Sequence, residues 1–369
     1  MTIQSEQSPN YSSEKHEVET EQDAVEELMS AGKTDGLPVV PPTPERVRSM
    51  FSTIHFDPDD ILGTIPERRR RITAEKVAIN AVMAGCEPEH FPVVIAAVQA
   101  ILDPRYSIHG PSASTAGPAV LTVVNGPIVE ELGFRSKDHL FAPGNRANAT
   151  VGRAINLVLR NTAGSTIDEF DRACFSHPGR YSYCIAENTS ASPWSSFHVE
   201  RGFDADDSTV TVFAAEAPNQ VANNSGGSAE AVLSTIAGRM AAPGVMGLGF
   251  DSEVVVVLGQ EHTGTILEDD FDKQDVREFL AREAFMTLEE AKECGMLPND
   301  VEEGDDEIEV PLVNDPSNVY VLTAGGEAGP FSVVIPGWTG RDNCQAITVG
   351  IPGHAKEAAC ELPDYKEDS

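Results

Sequence analysis

The sequence lacks several features that would assign it to a familiar class of protein. No apolar run among its 369 residues is long enough to cross a bilayer, and the polar start of the chain has no signal-peptide core. The six cysteines include no CxxC pair, which favours free thiols in a reducing compartment over a disulfide framework. No GxSxG or P-loop pattern is present, which lowers the odds for common hydrolases and NTPases. We therefore expect a cytoplasmic protein without a membrane partner.

Basic residues are also scarce. The chain has 26 Lys and Arg against 59 Asp and Glu, which gives a formal charge of −33. Nucleic acids and anionic membranes are not expected partners, because their phosphates would be repelled. The acidic excess is spread along the chain, which favours a halophilic protein whose self-repulsion is screened by high salt. An acidic enzyme from an ordinary cytosol is the alternative.

Strand and helix patterns alternate along the chain and predict an α/β fold, with a mostly parallel or mixed sheet covered by helices. The continuously apolar strand Val254 to Leu258 is typical of a strand buried on both faces. Two α/β subdomains would fit this length. The predicted organisation is a disordered acidic N-terminus (1–20), an α/β domain with N-terminal helices and a proline-rich strap (21–250), a smaller α/β domain (251–362) and a tail (363–369).

The richest segment for chemistry runs from Tyr181 to Phe203, where a thiol, carboxylates, an imidazole and a guanidinium share a short span. Cys184 ends a predicted strand, and ligands collect at the carboxyl ends of strands in α/β sheets. We predict Cys184 as a nucleophile or metal ligand, with Glu187, His198 and Glu200 as acid–base groups. His198 and Glu200 alternate along a predicted extended stretch and would point to the same side. The alternative for Cys184 is a small buried residue.

A second set of residues is predicted to bind the substrate. Arg146 lies just before an amphipathic helix that is predicted over 148–162, where backbone amides and a guanidinium suit a carboxylate or phosphate. The alternative is an arginine that ties down an acidic surface. Gly325 and Gly326 would permit a close backbone approach to a ligand, although a flexible turn is the default for such a loop. The full set is Asn145, Arg146, Asn188, Arg201, Gly325 and Gly326.

Three histidines from different loops raise the prospect of a divalent metal site. His109, His198 and His262 could together supply three imidazole ligands, although no local spacing demands it. The alternative for His262 is an exposed position near a helix N-terminus. No cofactor beyond such a metal is indicated.

Several of these stretches together resemble a prokaryotic family. They are Asp35 to Val47, Phe141 to Thr150, Cys184 to Asn188 with Ser192 to Trp194, and His198 to Phe203. The DGLPVVPPT strap is similar to one in proteins associated with the UGSC (seleno)protein group, which is named after a Sec-Gly-Ser-Cys redox motif. Neither that motif nor its Cys-Gly-Ser-Cys version is present here. The resemblance implies an α/β unit and no established activity.

These observations lead to two hypotheses about function. The first is a cytoplasmic enzyme that acts on a small anionic metabolite by metal- or thiol-assisted acid–base chemistry. The second is a non-catalytic protein that binds a small ligand or serves as a scaffold. Homo-oligomerisation is compatible with both.

Overall fold

The computed structural model describes residues 11–167 and 169–356. The helices are α1 (Glu21–Ser30), α2 (Pro44–Met50), α3 (Ala74–Ala84), α4 (Phe91–Leu102), α5 (His109–Ala113), α6 (Ile128–Glu131), α7 (Arg146–Asn161), α8 (Phe197–Glu200), α9 (Ala229–Met240), α10 (Gln260–Glu268), α11 (Lys273–Glu283) and α12 (Leu288–Glu293). The strands are β1 (Ile61–Ile65), β2 (Arg70–Thr73), β3 (Ala119–Asn125), β4 (Cys184–Ala186), β5 (Thr209–Ala215), β6 (Asn219–Ala222), β7 (Ser252–Leu258), β8 (Phe285–Thr287), β9 (Glu309–Pro311), β10 (Val319–Thr323), β11 (Phe331–Gly340) and β12 (Ile347–Gly350). Among these residues, no helix is both long and apolar enough to span a bilayer.

The predicted α/β fold with a mixed sheet is confirmed. Eight strands form one sheet in the order β10-β7-β11-β5-β3-β4, with β12 added beside β5 and β6 beside β11. The pairs β3/β4 and β7/β10 are parallel, and the other pairs are antiparallel. The sheet is continuous across residue 250, where the sequence predicts a domain boundary, and that boundary stays a prediction. Residues 1–10 and the predicted tail lie outside the described residues.

The chain runs through the same order of elements twice. The first half (residues 91–222) contains α4, β3, α7, β4, β5 and β6, and the second half (residues 229–350) contains α9, β7, α11, β10, β11 and β12. In each half the first strand pairs parallel with the second and antiparallel with the third, and the last strand crosses to the other half. The halves meet at the pairing of Ala215 with Gly337 between β5 and β11.

Alternation along the strands separates the core into layers. On β3, Leu121 and Val123 point to an inner core that they share with Val255 and Val257 of β7. The opposite sheet face packs against helices, in one outer core for each half. The sheet is rolled, because the Asn188 amide donates to the Thr323 carbonyl oxygen at 2.8 Å and joins its two edge strands. We call this junction of residues 187–188 with residues 323–325 the seam.

Candidate functional site

Glu187 follows β4 directly and lies buried at the seam. Its Oε2 accepts hydrogen bonds from Asn125 Nδ2 at 2.5 Å and from the Phe197 amide at 2.8 Å. Its Oε1 makes no hydrogen bond of ordinary geometry with the described residues. Burial raises the pKa of Glu187 to about 7, against the opposing influence of the Lys273 ammonium. A carboxyl with this pKa could exchange a proton near neutral pH.

Other polar atoms at the seam also lie buried without partners in the described part of the chain. They include Asn125 Oδ1, Asn188 Nδ2 and Thr323 Oγ1. The Asn188 Oδ1 accepts from Ser190 Oγ at 2.8 Å, so its side chain is only half used. An orphaned buried polar group costs about 1–3 kcal/mol, and ordered water commonly satisfies such groups. The seam is therefore a buried polar cluster in which the predicted Glu187 and Asn188 do meet.

Glu200 has a different environment from the one the sequence predicts. His198 and Glu200 lie in the short helix α8 and not in an extended stretch, so they do not share a side. Glu200 Oε2 accepts from Lys273 Nζ at 2.8 Å and from Arg277 Nη2 at 2.6 Å. Lys273 also donates to the Ser195 carbonyl oxygen at 3.0 Å. Glu200 is thus an ion-pair anchor between α8 and α11, which does not suit the predicted acid–base role.

Cys184 lies on the other face of β4 from Glu187. It belongs to the outer core of the first half, against the helices, and is buried. Burial raises the pKa of its thiol, and the nearby Cys86 thiol adds to that effect. A thiolate nucleophile needs a lowered pKa. The geometry therefore contradicts the predicted nucleophile and agrees with the alternative of a small buried residue.

The three predicted metal ligands do not come together. His109 is exposed and stacks edge-on against Phe170 at a centroid distance of 5.5 Å. His198 is buried, and burial lowers its pKa. The nearby Asp207 carboxylate opposes this effect. His262 is buried and not exposed, and its Nδ1 lies 2.7 Å from Ser332 Oγ. Within the described ranges, no three His, Cys, Asp or Glu side chains form a metal-binding group.

At the start of α7, where an anion pocket is predicted, Asn145 and Arg146 make internal contacts. Asn145 caps the helix, because its Oδ1 accepts from the Asn148 amide at 3.0 Å. Arg146 pairs with Glu87 at 2.5 Å and donates to the Gly85 carbonyl oxygen at 3.1 Å. Arg146 therefore connects the helix to a neighbouring turn. This agrees with the alternative from the sequence, an arginine that ties down an acidic surface.

The remaining substrate-binding candidates are held by internal contacts. Arg201 donates to Thr348 Oγ1 at 3.1 Å and to the Ala346 carbonyl oxygen at 3.2 Å, next to Tyr320. The Gly325 amide donates to the Ser136 carbonyl oxygen at 2.9 Å. The carboxylate of the exposed Asp138 lies close to Gly326 and would have to move to admit a side chain there. These two glycines permit close packing of two loops.

A large cavity lies elsewhere, in the first half. It is a cleft with a volume of about 860 Å³ at the corner between the start of β3 and the end of α7. Its walls come from Asp35 and from residues in segments 106–112, 118–120, 156–160, 165–167 and 171–181. None of the predicted site residues, all of which lie in the described ranges, is part of the lining. The cleft and Glu187 lie at opposite ends of β3 and β4.

The charged side chains of the cleft are mostly basic. Three arginines and two aspartates line it: Arg160, Arg172, Arg180, Asp35 and Asp171. Asp35 is neutralised by Arg153, which does not line the cleft. Arg153 donates to the two carboxylate oxygens of Asp35 through Nε at 2.7 Å and Nη2 at 2.8 Å. Arg180 pairs with Asp171 and donates to the Pro118 carbonyl oxygen at 2.7 Å. The cleft is therefore locally positive in a chain of net charge −33.

The cleft offers donors and no free base. Arg180 Nη2 and the hydroxyl of Tyr106 are buried without partners among the described residues, and burial raises the pKa of Tyr106, so it stays a phenol. Both nitrogens of His177 are used: Nδ1 accepts from the Gly179 amide and Nε2 lies 3.2 Å from the Ala215 carbonyl oxygen. Burial lowers the pKa of His177, so it is neutral at pH 7. This set of groups can hold an anion.

Sequence reasoning missed the cleft, although one signal was available. Asp171, Arg172, His177 and Arg180 stand close together in a chain that is poor in basic residues. Their apolar partners on the walls come from distant segments, which no local pattern connects. Comparison of the whole chain with protein-family models gives no match, and comparison with curated proteins gives none either.

Proposed function

We propose that this protein binds a small anionic molecule in the cleft of the first half. The observation that carries the proposal is the locally positive lining of a large concave site in a chain of net charge −33. Ligand sites are commonly concave, with volumes of roughly 300–1,000 Å³ and a few placed polar groups.

The energetics of the cleft floor support the same proposal. Arg180 Nη2 and the Tyr106 hydroxyl leave two donors unsatisfied, and each costs about 1–3 kcal/mol when buried alone. A carboxylate or phosphate oxygen would recover that free energy through charge-assisted hydrogen bonds once the cleft floor moved to expose the two groups, because both atoms are buried. The negative charge of the remaining surface would repel anions, so a locally positive cleft would direct an anion to this one site.

Binding without turnover fits the cleft better than catalysis in it. Catalysis by proton transfer needs an acid or base within hydrogen-bond reach of the substrate. The Asp171 carboxylate is engaged by Arg180 and the Asp35 carboxylate by Arg153. His177 is engaged at both nitrogens. The non-catalytic alternative from the sequence is thus the better supported of the two hypotheses at this site.

Acid–base catalysis at the seam is a second candidate function. The observation in its favour is the buried Glu187, with one unpartnered oxygen and a pKa raised to about 7. A substrate would reach it only after the seam opened, because the carboxyl is buried. The two candidate functions are distinguished by incubating an anion that binds with the protein and following the anion by NMR. Conversion by the parent protein that is absent in the Glu187→Gln variant supports catalysis. An anion that stays unchanged supports binding without catalysis.

The proposal is tested by isothermal titration calorimetry of the full chain with acetate, succinate, phosphate and phenylacetate. Phenylacetamide is the matched neutral ligand. At least one anion should bind, and Arg172→Glu should weaken it by at least about tenfold, which corresponds to 1.4 kcal/mol. Arg172 is exposed, so its replacement does not endanger the fold.

The matched control is Arg239→Glu, an exposed arginine on α9 that does not line the cleft. It makes the same change in total charge, and we expect it to leave the affinity nearly unchanged. No binding of any of the four anions, equal weakening by the two variants, or equal binding of phenylacetamide and phenylacetate would each overturn the proposal.

A further inference from the structure

The volume of the cleft limits the kind of anion that can fill it. A water molecule occupies about 30 Å³ in the liquid, and a carboxylate group is only a few times larger. The cleft has about 860 Å³, so an inorganic anion or acetate would leave most of its walls uncovered. Binding therefore gains most from a ligand whose remaining atoms fill the cavity.

The walls of the cleft are largely apolar. Ile108, Val120, Leu157 and Leu159 contribute side chains from three separate segments of the first half. Burial of apolar ligand surface against such walls contributes free energy in proportion to the area removed from water. A ligand that is polar throughout would lose hydration wherever it faced these aliphatic side chains.

Large apolar side chains at the cleft are also left exposed to solvent. Phe175 is 93% exposed, Ile167 59% and Tyr181 54%, and all three line the cleft. Contiguous exposed apolar residues around a cavity commonly mark a ligand or interaction site. A ligand with an apolar body would cover them, whereas a bare anion would not.

We infer that the anion bound in the cleft is a carboxylate with a bulky apolar body, of the arylalkanoate or branched aliphatic class. This inference rests on the proposed function and specifies its ligand. The carboxylate would be held by the arginines of the cleft, and the apolar body would lie against the aliphatic walls and Phe175. Aromatic rings in a ligand would gain further from edge or face contact with Phe175 and Tyr181.

The experiment compares phenylacetate with acetate by calorimetry at several temperatures. We expect phenylacetate to bind at least about tenfold more tightly than acetate, with a negative heat-capacity change that reports burial of apolar surface. Phe175→Ser should reduce the affinity for phenylacetate severalfold and leave the affinity for acetate unchanged. Because Phe175 is exposed, the variant should fold normally.

The control variant is Phe250→Ser in the second half, since Phe250 is 61% exposed and does not line the cleft. It should leave both affinities unchanged. Acetate or phosphate binding as tightly as phenylacetate would overturn the inference and leave the proposed function standing. Equal effects of the two serine variants on phenylacetate would overturn it as well. Failure of every anion to bind would remove both.

Discussion

The two halves of the molecule share an order of elements but complete one corner differently. The corner lies between the start of the first strand of each half and the end of its long helix, α7 or α11. In the first half, the described residues of segment 162–183 cross this corner with only one turn of 3-10 helix (Pro178–Arg180) and one isolated bridge between Ile167 and Asp171, and they leave the cleft. In the second half, residues 284–318 carry β8, α12 and β9 and close it.

The second half shows that this corner can be filled. The Ser252 amide at the start of β7 donates to the Leu312 carbonyl oxygen, and the Leu312 amide donates to the Ala284 carbonyl oxygen, both at 2.9 Å. Leu312 and Val313 are fully buried in the outer core of this half. In the first half, the Pro118 carbonyl oxygen before β3 accepts from Arg180 instead. The cleft is therefore not imposed by the topology, which supports a role in binding.

At the seam, the two halves also differ in the residue that follows the second strand. The strand register places Ala186 opposite Val124 in the first half and Thr323 opposite Leu258 in the second. The residues that follow are Glu187 in the first half and Ala324 in the second. The buried carboxyl thus has a methyl group as its counterpart. The cleft and the carboxyl of the seam belong to the first half, while the second half contributes Thr323 and Lys273 to the surroundings of that carboxyl.

The largest expected effect tests the filled corner directly. Leu312→Ala should lower the free energy of unfolding by about 2–5 kcal/mol, because it leaves a cavity in a closed apolar layer. Ile167→Ala at the cleft should change it by no more than about 0.5 kcal/mol, because the side chain is already in solvent. Urea denaturation of both variants measures the difference. A cost for Ile167→Ala close to that of Leu312→Ala would mean that the cleft wall is ordinary core.

The next effect concerns the seam and depends on pH. The folded state holds the pKa of Glu187 at about 7, against an ordinary value of 4.5, so the folded protein binds the proton more tightly than the unfolded chain. Its contribution to stability is therefore complete at low pH and is lost as the pH rises through 7. The Glu187→Gln variant has no carboxyl to ionise at this position, so it does not lose this stability. Above pH 7 the variant should gain up to about 3 kcal/mol relative to the parent protein, at 1.36 kcal/mol for each pKa unit.

Denaturation of both proteins between pH 5 and 8 checks this prediction. Many other carboxylates also titrate in this chain, so the difference between variant and parent is the informative quantity. Glu230→Gln, on the exposed surface of α9, is the control and should follow the parent closely. Parallel profiles for Glu187→Gln and the parent would show that the folded state does not perturb this carboxyl.

Local sequence patterns were sufficient for individual elements of the fold. The apolar run Val254 to Leu258 falls within β7, and the amphipathic pattern predicted over 148–162 corresponds to α7 with a shift of two residues at its start. Period and capping residues act over a few positions, so a reader of the sequence can recover them. The exchange of β6 and β12 between the halves depends on pairings between distant segments. No local pattern encodes them.

The candidate site shows the same limit. Cys184 and Glu187 are close in the sequence, but strand alternation sends the thiol to the helices and the carboxyl to the seam. Arg146 begins α7, two residues before the predicted start, and its partner Glu87 comes from a distant turn. The sequence does not predict the cleft, because its walls come from five separated segments and Asp35.

The smallest expected effect compares one exposed cysteine from each half. Cys174 lies between Ala173 and Phe175, which both line the cleft, and Cys294 follows α12 in the insertion that closes the other corner. A ligand in the cleft should shield Cys174, so saturating phenylacetate should slow its alkylation by iodoacetamide severalfold. Cys294 should react at an unchanged rate, while the buried Cys184 should react only on unfolding.

Mass spectrometry of tryptic peptides assigns each rate to its cysteine. The Arg172→Glu variant provides the control, because weakened binding should restore the rate at Cys174 to that of the unliganded protein. If phenylacetate slowed both cysteines equally, its effect would be a general stabilisation by a ligand bound elsewhere. Protection of Cys174 alone requires an occupant at the corner that the first half leaves open, and this links the difference between the halves to binding.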